Sequence, residues 1–300
     1  MKRILLFVLV NIAVMLLLAV AYHLFCCFCG IDPSGVSDDG GINLCSIAIF
    51  SIVFGMLGSF VSLLLSKPIA KMSTGAVVID GSEGEAQRWI VDTVANLSES
   101  AGIAMPEVAI YEGAPNAFAT GAFRNSALVA VSTELVTGMK HEELRAVLGH
   151  EISHIANGDM VTMTLLQGVL NAVVLFLSRV IAQVVATEQK GNPRRSSPLV
   201  YFAVYYTLQI VLGLLASMIV MWYSRRREYA ADAGAAKLIG SPQPMILALK
   251  RLQGIGNSQL PSSMKAFGIS GDRDVSLFSS HPSIKSRIEA LEKLIYTSTY

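Results

Sequence analysis

The chain has 300 residues, 53% of them hydrophobic and only 15% charged, with a net charge of +1 and a mean hydropathy of +0.54. Soluble domains carry roughly 25% charged residues, so this composition excludes a disordered chain, a disulfide-rich secreted module and a nucleic-acid binder with a broad basic face. It also disfavours a wholly soluble enzyme. A membrane protein with room for one modest globular domain remains.

Residues 4–28 run from Ile4 to Phe28 without a charge. That is longer than the roughly 7–15 apolar residues of a signal-peptide core, so the segment reads as a retained anchor. Residues 42–66 and 199–223 are also long enough for a bilayer, which needs about 20 apolar residues. A further segment, 160–178, is weaker because Gln167, Asn171 and Arg179 need partners. Lys2 and Arg3 precede the first segment, and Asp32, Asp38 and Asp39 follow it. Lys67, Lys71 and Arg225 to Arg227 follow the second and fourth, so the positive-inside rule puts the N-terminus, residues 67–160 and the chain after residue 224 in the cytoplasm. Lys190, Arg194 and Arg195 in the loop at 188–198 run against that trend.

Cys26, Cys27, Cys29 and Cys45 all lie near the expected outer face. They are either apolar cysteines at a membrane edge or the makings of a loop disulfide to Cys45. Cys26-x-x-Cys29 has no second pair to complete a metal site.

The polar stretches alternate with the apolar ones. Ala86, Trp89, Ile90, Val94 and Leu97 give residues 83–101 helical spacing. Residues 107–111, 116–121 and 127–132 read as strands, the last two joined by a turn near Arg124 and Asn125. A helix runs from Glu142 to Asn157 and stops at Gly158. Further helices are expected at 226–239, 242–252 and 283–296, with Gly/Ser-rich linkage at 254–280. The fold class is α+β, mostly helical, with a small sheet and a helical membrane anchor of about four spans. The expected parts are an N-terminal transmembrane hairpin (1–66), a cytoplasmic part (67–159), a second hydrophobic hairpin (160–223) and a cytoplasmic helical part (224–300). Residues 67–160 hold six Lys/Arg against twelve Asp/Glu, whereas 224–300 hold eleven against six. Opposite signs fit two parts of one domain that meet, or a separate charged partner.

The chemistry is concentrated in His150-Glu151-Ile152-Ser153-His154. At about 100° per residue the two imidazoles lie about 40° apart on one helical face and can reach one metal ion. Glu151, about 100° round, can address a water beside it. Leu144, Leu148 and Ile155 form the apolar back of this helix. A peptide-hydrolysing zinc site uses three protein ligands and leaves a position for water.

The third ligand must share the helix's side of the membrane, which leaves Glu142, Glu143, Asp159, Glu228 and Asp232. Glu142 and Glu143 sit two turns before His150, roughly 10–12 Å along the axis and out of reach. Asp159 stays open by reach. Glu228 is the first acidic residue after the fourth apolar segment, and Asp232, one turn on, is placed to orient a histidine. His281 and Arg287 are candidates for stabilising an oxyanion, although His281-Pro282-Ser283 also reads as a plain helix start. His23 and His141 have no partners at ligand spacing and are read as structural.

HEISH at 150–154, RRREYAAD at 225–232, NAFATG at 116–121 and HPSIKSRIEAL at 281–291 together resemble the HtpX family of bacterial membrane zinc endopeptidases. The resemblance spans nearly the whole chain. It implies a zincin-like cytoplasmic metallopeptidase domain with one zinc ion on His150, His154 and Glu228 and with Glu151 as catalytic base. It also implies a sheet edge at Asn116, Ala117, Phe118 and Ala119 that receives extended protein or peptide substrates, and a catalytic role for His281. The implied task is quality control in the bacterial inner membrane, cleaving misfolded or damaged membrane proteins beside other membrane proteases. No nucleic-acid partner is expected. Two alternatives differ in class. An intramembrane protease would bury its motif in lipid, yet Glu142, Glu143, Arg145, Asn157 and Asp159 flank this one. A zinc-containing scaffold or holdase leaves Glu151 without a role.

Overall fold

The computed structural model describes residues 2–32, 35, 42–188, 198–259 and 279–297. The helices are α1 (Lys2–Cys29), α2 (Leu44–Ile52), α3 (Gly58–Thr74), α4 (Glu85–Ala101), α5 (Thr133–Gly138), α6 (His141–Asn157), α7 (Asp159–Glu188), α8 (Pro198–Ile239), α9 (Gln243–Gln259) and α10 (Ile284–Thr297). The strands are β1 (Val77–Ile79), β2 (Glu107–Tyr111), β3 (Ala117–Thr120) and β4 (Leu128–Ser132). The chain is α+β and mostly helical. It forms two compact units, Met1–Ser62 with Met163–Val220, and Leu63–Thr162 with Met221–Tyr300.

Three helical stretches among the described residues are long and apolar enough to cross a membrane: Leu44–Thr74, Asp159–Ala186 and Pro198–Ile239. Met15–Cys29 is a shorter apolar helix. Within the first unit the polar residues of α7 find partners. Gln167 donates to Asn171 at 3.0 Å, Asn171 donates to Ser59 at 3.5 Å, and the Arg179 guanidinium lies 3.5 Å above the Phe50 ring. A charge inside an apolar helix is thus met by an aromatic face rather than a carboxylate. All four cysteines are free thiols, so the loop disulfide is not formed.

The second unit is built on a four-stranded sheet of order β1-β2-β4-β3. The β1–β2 and β3–β4 pairs are antiparallel and β2–β4 is parallel, with Val108 opposite Val129. Strand alternation sends Val108, Val129 and Val131 into the main core with Ile90, Val94, Leu144 and Leu148. Ala109, Leu128 and Ala130 face the other way, under Tyr111 and Phe118. Strand β3 is an edge, and α6 packs along it. His141 stacks on Trp89 at 4.3 Å, the structural place expected for it.

Three local expectations are corrected. The helix expected to start at residue 226 is the continuation of α8, unbroken from Pro198 to Ile239. Arg225 to Arg227 end the apolar run but not the hydrogen-bond ladder, and the Ala-rich residues after them have high helix propensity. Gly158, at φ +70°, caps α6 as expected, yet α7 starts at the next residue. Strand β1, with three residues, is too short to show a period. Helix α9 extends past residue 252 to Gln259, and the remaining linkage at 260–278 lies outside the described residues.

Candidate active site

Helices α6 and α8 bring the chemistry together because small residues line their approach. A Cβ on Gly234 would lie 2.5 Å from the Ser153 hydroxyl, and one on Gly149 would touch Ala235 at 3.6 Å. At this distance Glu228 and Asp232 of α8 face His150 and His154 of α6. The two Nε2 atoms are 3.1 Å apart. Glu228 places Oε2 3.5 Å from the first and Oε1 3.4 Å from the second. Ligands at about 2.0–2.2 Å in tetrahedral array stand about 3.3–3.6 Å from one another, so the two Glu228 separations match a single small cation and the Nε2 pair needs only a few tenths of an ångström more.

The far side of each ring is tied down. His150 Nδ1 is 2.9 Å from Asp232 Oδ1, and His154 Nδ1 is 2.6 Å from Asp159 Oδ2. With those nitrogens donating, both Nε2 lone pairs point into the space between the helices. Asp159, left open as a third ligand, therefore sits behind His154, where Arg227 also approaches it at 3.7 Å. Glu228 is 3% exposed, and its Oε2 lies within 3.5 Å of nitrogens of His150, His281 and Arg287, though none is aligned as a hydrogen bond. A buried carboxylate oxygen of this kind is costly unless something positive completes it.

Burial alone would depress the His150 imidazole, but Asp232 and Glu228 outweigh it and push the ring up to about 10. His154 rises against its burial too, through Asp159 and Glu228. Burial opposes ionisation of Glu228, yet His150, His154 and His281 hold it well below the usual carboxylate range. Carboxylates thus contact both imidazoles, a surrounding that suits a bound cation.

Arg287, fully buried, balances part of that charge. Its Nε and Nη2 donate to the two oxygens of Asp232 at 2.8 and 2.6 Å, a bidentate fork. Nη1 lies 3.4 Å from Glu228 Oε2. Sequence reasoning raised Arg287 only as an oxyanion partner and missed its hold on Asp232.

The model of peptidase family M48 matches residues 85–295. A "Protease HtpX homolog" of Verminephrobacter eiseniae is 54% identical over 97% of this chain and 98% of its own. One from Bordetella avium is 53% identical over 98% and 99%. The chain belongs to the HtpX group of peptidase family M48. The crystal structure of S. mikatae Ste24p shares the fold, with a TM-score of 0.56 at 21% identity over 82% of this chain and 58% of that one. Like its HtpX relatives the protein is a membrane-anchored metalloprotease, and His150, His154 and Glu228 form its candidate metal site.

The remaining residues of this HtpX-group chain fall around that site. Glu151 is 5% exposed, on the turn that carries both histidines. Tyr111 is near it: burial, with the Glu151 charge adding, pushes the phenol up to about 12. His281 puts Nδ1 2.9 Å from Glu228 Oε2. Asn116 immediately precedes β3, and its backbone is pinned to Ser132 by bonds of 2.9 Å at both its N–H and its carbonyl. Ala117 is buried and Phe118 packs on Tyr111, so Ala117–Thr120 offers its edge mainly as backbone.

Proposed function

We propose that the protein is a zinc endopeptidase of the bacterial cytoplasmic membrane, its active site facing the cytoplasm, that cleaves misfolded or damaged membrane proteins under stress. The observation that carries this reading is the convergence of two imidazole Nε2 atoms and a buried carboxylate, with Glu151 beside them. Two imidazoles and one carboxylate are a donor set that suits zinc. When bound, zinc would supply Lewis acidity, making water a nucleophile near neutral pH and polarising the scissile carbonyl. Glu151 takes the proton of the attacking water as the C–O bond forms, and gives it to the leaving amine as the C–N bond breaks. Help of this kind is worth about 10²–10⁴-fold.

His281 and Arg287 put ring and guanidinium nitrogens near Glu228, where an oxyanion would gain from donors. The β3 edge at Asn116 to Ala119 takes the substrate through main-chain hydrogen bonds, a mode that tolerates many side chains. Basic residues at Lys67, Lys71 and Arg225 to Arg227 support a cytoplasmic site. So does a layout of two apolar hairpins (1–66 and 160–223) alternating with polar parts (67–159 and 224–300). Housekeeping of this kind would run beside other membrane quality-control proteases. The test is casein cleavage by detergent-purified protein with bound metal identified, before and after chelation and after zinc is returned. Activity indifferent to chelation, or restored by no zinc concentration, overturns the reading.

A further inference from the structure

Beyond β3 the chain turns through Gly121 and leaves a shallow, open hollow against the junction of α6 and α7. Ala122, Phe123 and Arg124 line one side, and Ile155, Met160 and Val161 the other. Phe123 is 64% exposed, while Ile155 on the opposite wall is fully buried. Gly121 holds this shape at φ +140°, where a Cβ would come within 2.6 Å of the Ser126 carbonyl. An exposed aromatic ring and one cation are thus part of the lining of an otherwise apolar hollow.

The hollow continues the edge already read as the substrate strand, and the inference rests on that reading. Gly158, also on its wall, is four residues past His154, about 6 Å along α6. An extended chain covers that distance in about two residues at roughly 3.3 Å each. Antiparallel pairing is the more stable mode, and a substrate antiparallel to β3 has its N-terminal side toward residues 121–124. We infer that the hollow is a specificity subsite for an apolar side chain about two residues N-terminal to the scissile bond. Arg124 at its rim rejects a basic side chain there.

Peptide libraries digested by the detergent-purified, zinc-loaded enzyme and read by mass spectrometry test this. The unmodified enzyme enriches Leu, Ile, Met or Phe and depletes Lys and Arg about two residues before the cut. Phe123→Ala lowers kcat/KM by at least about 10-fold on a peptide with Leu at that position, and by less than about 2-fold on its Ala counterpart. Ala122→Phe, which fills the hollow, reverses the preference of Leu over Ala. Arg124→Glu lifts the rejection of Lys. Equal losses on both peptides, an unchanged profile in all three variants, or a shift on the C-terminal side of the cut overturns the assignment. No cleavage by the unmodified enzyme sinks the hydrolase reading instead, so the two failures are distinguishable.

Discussion

Each imidazole of the site is held at both nitrogens, with a carboxylate behind it and the shared Glu228 in front. That arrangement separates the residues by what their loss does. Glu151→Gln, nearly isosteric and unable to accept a proton, should keep near-stoichiometric metal and lose at least about 100-fold in hydrolysis. Glu228→Ala should release the metal. Glu228→Asp draws the oxygen back by about one C–C bond and should lose most of it. Asp232→Asn and Asp159→Asn should each weaken metal binding by roughly 10–100-fold without abolishing it. Metal analysis of the five purified variants checks this order. Stronger loss from Asp159→Asn than from Glu228→Ala would contradict the ligand set.

The protonation of His150 adds a pH dependence. In metal-free protein its ring is raised from 6.5 to about 10. The resulting stabilisation is complete below pH about 6.5 and is lost as pH rises through about 10. Metal uptake displaces that proton, so affinity should climb with pH over the same window. Thermal melts of chelated protein and zinc affinity, both measured between pH 6.5 and 10, read the two effects with opposite signs.

At the scale of elements, the α6–α8 approach is the feature on which the site depends. Gly234→Ala should push α8 away from Ser153 and cost about 1–3 kcal/mol, the usual range for overpacking. Metal binding should fall with it, because Glu228 and Asp232 ride on the same helix. Gly213, earlier in α8, has nothing within 4 Å of an added Cβ, so Gly213→Ala should leave both quantities nearly unchanged. Melting temperature and bound metal for the pair decide the point.

The α6 helix is legible in sequence because its apolar back and its histidines follow one period. The length of α8 is not, because charge sets where lipid ends while backbone bonding sets where a helix ends. Gly158 shows the same limit, since a left-handed cap is read as a stop and says nothing of a helix that restarts at once.

Over the whole molecule, the charge asymmetry has contacts to account for it. Glu143 pairs with Arg251 and Asp159 with Arg227 between the two parts, while Asp232 pairs with Arg287 within the second. The last is buried on both sides, and removing one partner of such a pair typically costs about 3–5 kcal/mol. Arg287→Met should therefore destabilise the protein strongly, whereas Arg251→Ala should cost less, because Arg251 is partly exposed and the buried Glu143 keeps the Lys140 N–H as a donor. Orientation in the membrane is a separate matter. Reporters fused after residues 75, 240 and 300 should read cytoplasmic and one at Asp38 external. An external signal at 240 would put Glu228 across the membrane from His150.

The sequence by itself determined what is local. The apolar segments come from composition, the strands at 107–111 and 127–132 from alternation, and the His150, Glu151 and His154 constellation from one helical turn. The family resemblance named Glu228, but spacing could not, because it is 74 residues past His154 and no period links them; tertiary structure is what sets its carboxylate against both imidazoles. It also moved Asp159 from possible ligand to the back of His154, and set Arg287, 137 residues from His150, behind Asp232. A helix fixes the relation of residues one turn apart by its own hydrogen bonds. Residues on different helices meet only where packing lets the backbones come close, here at Gly149, Ser153 and Gly234.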